Sequence, residues 1–229
     1  MPILYDAEFG KVTVRRSARA SHVRLRVAPD GTLRASLPLY APSFLVKRLI
    51  ASSRKELREL LKQSQPDISF SDGMRIGKSH SLHVREGNDL SVKRRKQRIE
   101  VTLAPGQQLS DQEVITEIRP IVQAALRIEA KSYLPKRLAY LASQLGYHYE
   151  TVRFSHASGR WGSCTSEGTI SLNIALMKLP FSLIDYVIVH ELAHTKHLNH
   201  SPDFWDEVER GDPHYKEHRR LLKQETPTI

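Results

Sequence analysis

The 229-residue sequence predicts an α+β fold, and three observations carry that expectation. Alternating apolar and polar residues dominate the first hundred positions, helical periodicity takes over after residue 105, and a long apolar stretch behind Pro180 has the make-up of a helix crossing a core. Charge divides at the same place. Residues 1–100 hold 21 Lys and Arg against 10 Asp and Glu, whereas residues 101–229 hold 14 against 15, so the whole excess behind the net charge of +10 lies in the first part. The sequence is therefore expected to form a basic, strand-rich domain with one inserted helix over 1–105 and a second domain over 106–229.

Element by element, KVTVRR and SHVRLRVAPDGTLRASLP alternate in the strand manner, with Asp30-Gly31 between the two runs of the second stretch as a hairpin signal. From Pro42 to about Gln65 the spacing of Phe44, Leu45, Leu49, Ile50, Leu57, Leu60 and Leu61 predicts one amphipathic helix. HSLHVRE, DLSVKR and QRIEVTLAP follow as short strands, the last two meeting at Lys93, Arg94, Arg95 and Lys96, with Arg98 just beyond. A helical region then runs from Ser110 to Leu145, with Pro120 and Pro135 expected to kink or break it and Gly146 to end it. TVRFSHAS and GTISLNIAL read as strands separated by GRWGSCTSE. Behind Pro180, FSLIDYVIVHELAH reads as a buried helix, and two short helices are expected at Pro202–Glu209 and Pro213–Gln224.

Composition excludes several classes. Forty per cent hydrophobic residues with interspersed charge argue for a folded chain. No run approaches the roughly eighteen apolar residues of a membrane span, and MPILYDAEFGKV lacks the regions of a signal peptide, so a cytoplasmic address is expected. Cys164 is the sole cysteine, which rules out an intramolecular disulfide and a cysteine-only zinc site, and it reads as a small hydrophobe rather than a nucleophile. The basic first part fits an acidic partner such as nucleic acid, or simply keeps strands soluble; its densest cluster has no aromatic residues interleaved for stacking on bases.

The chemistry gathers in VIVHELAHTKHLNHSPDFW, Val187 to Trp205. His190 and His194 are four residues apart, one turn above each other on one helix face, which lets two imidazoles share a zinc ion. Glu191 lies about 100° around the axis, placed to serve a water on the metal rather than the metal itself. His197 is on the His190 face, but an unbroken helix would set it about 10 Å further along, too far for one ion with bonds of ~2.0–2.1 Å. A stop at Asn199 and a restart at Ser201-Pro202 would instead leave His200 in a corner, free to approach from the side. Three imidazoles leave a fourth position for water, and Glu191 could take and return its proton, which describes hydrolysis. His197 is assigned a role behind the ligands or at the surface, and His214 and His218 a solvated face.

The segment HELAHTKHLNHSPDFW, with GRWGSCTSEGTISLNIALMKLPFSLIDYVIVHE before it and DPHYKEHRRLL after it, resembles the YgjP-like family of bacterial zinc metallopeptidases, relatives of the WLM and SprT-like proteases. The likeness is dense from Lys131 to Leu222 and looser before residue 105. It implies a zincin-like peptidase domain behind the basic part, with one zinc ion on His190, His194 and His200 and Glu191 as general base. A glutamate third ligand would come from Glu207 or Glu209. The resemblance also implies an extended peptide substrate beside an edge strand, expected at GTISLN, with Arg160 and Trp161 near the cleft. Trp161 is either a wall of that cleft or core packing, Asn173 either a substrate contact or a cap, and Tyr215 either an oxyanion donor or packing. Two other readings stand beside the peptidase: a metal-dependent hydrolase of nucleotide phosphoanhydrides, and a nucleic-acid-binding module with a structural zinc. The first lacks a glycine-rich phosphate loop, and the second requires a fourth protein ligand.

Overall fold

The computed structural model describes residues 3–18, 20–27, 33–64 and 69–229. Packing divides the chain into two units, Met1–Ile68 and Ser69–Ile229. The change of charge and periodicity near residue 105 thus falls inside the second unit, because the strands before it pack on the helix after it.

In the first unit, β1 (Ile3–Asp6), β2 (Gly10–Arg16), β3 (Arg24–Val27) and β4 (Leu33–Leu37) form a sheet in the order β1-β2-β4-β3. β2 and β4 run parallel and the outer pairs antiparallel. The strands flanking Asp30-Gly31 pair as the hairpin signal predicts, while that turn lies outside the described residues. Alternation in β4 buries Leu33, Ala35 and Leu37. The single helix expected from Pro42 is instead two, α1 (Phe44–Ser52) and α2 (Arg54–Ser64). At the junction the Ser52 hydroxyl and the Ser53 amide both bond to the Leu49 carbonyl, each at 3.0 Å. Val46 and Ile50 of α1 and Leu57 of α2 join Val12 and Val14 in the core. At its rim Arg54 pairs with Asp6 at 3.1 Å and Glu8 at 2.6 Å. Exposed pairs of this kind add less than about 1 kcal/mol each, so apolar burial dominates.

The second unit begins with β5 (Arg75–Ile76), β6 (His80–Glu86), β7 (Ser91–Arg95) and β8 (Arg98–Leu103), ordered β5-β6-β8-β7. Leu82, Ile99 and Val101 are buried, and α3 (Gln112–Leu145) packs on β7 and β8. The basic cluster stands exposed at the β7–β8 turn. Pro120 and Pro135 do not break α3, which continues through both. Each proline removes a hydrogen bond from the carbonyl four residues earlier. Those carbonyls belong to Thr116 and Lys131, both exposed, so solvent can satisfy them while Ile118, Val122, Leu134 and Leu138 keep the apolar side buried. Gly146 ends the helix in the left-handed conformation, φ 69°, as its residue type predicts.

After α3 come β9 (Thr151–Ser155), β10 (Gly162–Cys164) and β11 (Thr169–Asn173), in the order β10-β11-β9. The strand expected to reach Leu176 gives way to a 3-10 helix, Ile174–Lys178, capped by the Asn173 side chain. The apolar helix behind Pro180 is α4 (Phe181–Ala193), buried along most of its length and packed against α3, β10, α5 (Pro202–Gly211) and α6 (Tyr215–Leu222). Among the described residues, no helix is long and apolar enough to cross a membrane.

Candidate metal centre

α4 enters the site from the core. Leu192 and Ala193 are buried on one side, which leaves His190 and His194 on the side that opens outward. The helix ends at Ala193, before the expected stop at Asn199, which does not adopt a left-handed conformation. Tight turns follow: the amides of Lys196 and His197 both bond to the Ala193 carbonyl, at 3.1 and 3.0 Å. The chain then re-enters a helix at Ser201, whose hydroxyl accepts from the Phe204 amide with Pro202 in the first turn, as predicted. His200 is thereby set in the corner between α4 and α5.

The three imidazoles converge. One ligand atom from each of His190, His194 and His200 lies within 4.8 Å of the other two, and the Nε2 atoms of His190 and His200 are 3.2 Å apart. A tetrahedral edge at zinc to nitrogen bonds of ~2.05 Å is about 3.3 Å, so that pair already stands at ligating separation. His194 Nδ1 lies 3.0 Å from the His197 carbonyl; donating there, it leaves Nε2 as the free lone pair. His197 therefore holds the His194 ring with its backbone carbonyl. Burial, with His194, His200 and Arg219 nearby, pushes the His190 pKa down to about 3 and keeps the ring neutral, as ligation requires. His200 is lowered for the same first reason.

Aromatic rings hold this corner. Phe204, fully buried, lies 4.5 to 5.0 Å from all three imidazole centroids, and Trp205 stacks on His200 at 5.6 Å. Arg219 covers the Trp205 ring at 4.5 Å. Sequence reasoning passed over these two aromatics, although their place at the first turn after the third histidine was a usable signal.

Glu191 is 5% exposed, and its Oε2 has no hydrogen-bond partner among the described residues. Burial pushes its pKa up to about 8, against the pull of Arg160. It lies against Gly162 of β10, where a Cβ would stand 2.5 Å from Oε1, so any larger residue would push the carboxylate aside. The donor set suits a divalent ion that accepts nitrogen ligands, and a buried unpartnered carboxylate oxygen beside it suits a group meant to exchange a proton. A cleft of about 450 Å³ opens over these residues, its far wall made by Gly159, Arg160, Gly162, Ser163 and Cys164.

Other expected residues fall elsewhere. Asn173 is fully buried and saturated: its amide donates to the Ala157 and Arg160 carbonyls at 2.6 and 2.9 Å, and its oxygen accepts from the Ala175 amide. It caps and cannot reach substrate. Trp161 does not line the cleft, and its carbonyl accepts from the Asn173 amide. Tyr215 is buried against Trp205 at 5.5 Å, away from the cleft. Glu207 is held by Tyr147, Arg210 and Lys196, first among them the Tyr147 hydroxyl, which brings its pKa down to about 2, and Glu209 pairs with Lys216; neither joins the histidines. Among the described residues no fourth His, Cys, Asp or Glu completes the cluster. His218 donates to Asp212 at 2.6 Å rather than forming a second site with His214. Burial pushes the Cys164 pKa up to about 11, so it is a thiol at neutral pH.

GTISLN is not an edge. β11 is the central strand, bonded to β10 on one side and β9 on the other, so neither side can accept another strand. The edge is β10, a three-residue strand. Trp161 and Thr165 bond inward to Asn173 and Thr169, and by the alternation of antiparallel pairs Gly162 and Cys164 turn their N–H and C=O groups outward.

The sequence pattern of the YgjP-like metallopeptidase domain matches residues 21–225. Among solved structures, the metallopeptidase zymogen of Pyrococcus abyssi abylysin is 31% identical over 39% of this chain and 92% of its own, with a TM-score of 0.36. The metallopeptidase zymogen of Methanocaldococcus jannaschii jannalysin is 20% identical over 39% of this chain and 93% of its own, with a TM-score of 0.35. No curated protein matches the chain.

Proposed function

The chain belongs to the YgjP-like metallopeptidase family, and from that premise we propose that it hydrolyses peptide bonds with one zinc ion on His190, His194 and His200 and with Glu191 as general base. The observation that carries this reading is the convergence of three imidazole nitrogens within 4.8 Å beside a buried, unpartnered Glu191 oxygen. Bound there, zinc would polarise the scissile carbonyl and acidify the attacking water.

The residues of the chain divide the remaining work. His194 is oriented by the His197 carbonyl, and His200 by the stacked Trp205 ring. Glu191 takes the proton of the attacking water at its free Oε2 and returns it to the leaving amine. Gly162 allows β10 to lie against that carboxylate. The outward N–H and C=O groups of Gly162 and Cys164 receive an extended peptide as an added strand, which aligns its carbonyl with the histidines.

Metal analysis and peptide hydrolysis on three proteins test the proposal. Wild type should hold one equivalent of zinc and cleave peptide. Glu191→Gln should keep the metal and lose activity by a factor of roughly 100 to 10,000. His200→Ala should weaken metal binding more than about 100-fold, beyond the usual effect of losing a ligand's supporting group. Full metal content in His200→Ala, or full activity in Glu191→Gln, would overturn the assignment.

A further inference from the structure

We propose that Arg160 reads a carboxylate on the substrate, so that this peptidase prefers peptides carrying a negative charge next to the scissile bond. The inference rests on the peptidase reading above and adds the substrate class.

Among the residues lining the cleft, Arg160 alone is a fixed cation; the rest of the far wall is glycine, serine and a protonated thiol. Its side chain is exposed, and the guanidinium makes no hydrogen bond or ion pair with any described residue. Three arginines away from the cleft are committed to carboxylates. Arg137 grips Asp185 with two bonds of 2.7 Å, Arg54 holds Asp6 and Glu8, and Arg210 holds Glu207. Those side chains are structural; the one facing the cleft is left with its donors unused.

Its base, in contrast, is fixed. Asn173, fully buried, donates from one amide group to both the Ala157 and Arg160 carbonyls, which pins the loop where the side chain leaves it. Two simpler roles fit less well. The charge of Arg160 acts on Glu191 through space, but no hydrogen bond joins the two residues, so that role leaves the guanidinium donors open. A purely solubilising arginine has no reason to be anchored by a buried asparagine at the mouth of a cleft. A guanidinium presents paired N–H groups that match a carboxylate fork, and a partly enclosed cleft strengthens such a pair relative to open water.

The carboxylate has two sources, an Asp or Glu side chain flanking the scissile bond or the free C-terminus of a short peptide. Matched peptides separate them: Glu against Gln at each flanking position, each made with a free and with an amidated C-terminus. Wild type should favour one carboxylate class by roughly 10- to 100-fold in kcat/KM, expressed mainly in KM, from a charged hydrogen bond of ordinary strength. Arg160→Gln should bring that class down to the level of the neutral peptides, Arg160→Lys should restore part of the preference, and Arg160→Glu should shift it toward Lys-containing peptides. An equal fall on charged and neutral peptides, or no change, overturns the proposal.

Binding of the same peptides to Glu191→Gln protein keeps this result apart from the peptidase reading. Cleavage without charge preference removes the carboxylate site and leaves the peptidase standing. Arg160-dependent binding without cleavage by wild type does the reverse. Failure of both removes both.

Discussion

Two helices of the second unit each bury one glutamate, and their surroundings send the two carboxyls in opposite directions. Both are 5% exposed. Glu129, on α3, pays the desolvation cost that would raise its pKa, but five donors reverse it: the amides of Lys78, Ser79 and His80, the Ser79 hydroxyl and His80 Nδ1, all at 2.6 to 3.1 Å. Its pKa ends below the ordinary value. Glu191, on α4, is more deeply surrounded by protein and has no donor to its Oε2, and its pKa rises to about 8. Depth of burial and the number of donors together set the direction of each shift. A saturated carboxylate ties α3 to the turn before β6; an unsaturated one is left available for proton transfer.

The sharpest way to break this comparison is to neutralise each glutamate in metal-free protein and measure urea stability at pH 5 and pH 8. The folded pKa of Glu129 lies below the unfolded value near 4.5, so its contribution is fully present above that pH and is lost as acid carries the pH through the folded value. Glu129→Gln should cost about 3 kcal/mol at both pH values, because amides and a histidine lose a charged acceptor. Glu191 has a folded pKa above its unfolded one, so the folded state holds the proton more tightly and stability falls as pH rises from about 4.5 to about 8. Glu191→Gln should therefore exceed wild type by a few kcal/mol at pH 8 and by much less at pH 5. Shifts of the same sign in the two variants would dissolve the distinction.

A smaller effect tests how closely Glu191 is placed. Gly162→Ala would set a methyl 2.5 Å from Glu191 Oε1 and 2.7 Å from its Cγ, forcing the carboxylate to move. Displacement near 1 Å should lower kcat/KM by about 100-fold while zinc content is unchanged. Wild-type kinetics in this variant would mean that the exact position of the carboxylate is unimportant.

The solvated limit of the same comparison is the basic turn at residues 93–96, where charges face water. Replacing Lys93, Arg94 and Arg95 with glutamine should leave stability within about 0.5 kcal/mol. If this turn contacts nucleic acid, filter retention of DNA should fall between about 50 and 200 mM salt, with a shallower salt slope in the variant. Retention that does not respond to salt removes the acidic partner from the account.

Legibility followed the range of the interactions involved. The buried helix, the pairing of His190 with His194 and the restart at Ser201-Pro202 all depend on contacts within a few residues, and each was readable. The break at Ser53 leaves the apolar spacing intact on both sides, so periodicity alone reads straight through it. Continuity through Pro120 and Pro135 depended on which side of α3 faces solvent, and so on the sheet beneath it. β10 was missed because three residues, one of them glycine, carry no strand signal of their own; its place is set by pairing with β11. The saturation of Asn173 and the freedom of Arg160 were equally invisible, since both are settled by partners met only in three dimensions.

By itself, then, the sequence determined the kind of chemistry: backbone hydrogen bonding places residues four apart on one helix face whatever surrounds the helix, so two imidazoles and a neighbouring carboxylate declare themselves locally. Only the tertiary structure decided which strand edge is open, whether Arg160 meets a carboxylate and which of Glu129 and Glu191 is left without donors. The donors to Glu129 come from about fifty residues away along the chain. No local rule can count them, because they meet only once the chain has closed on itself.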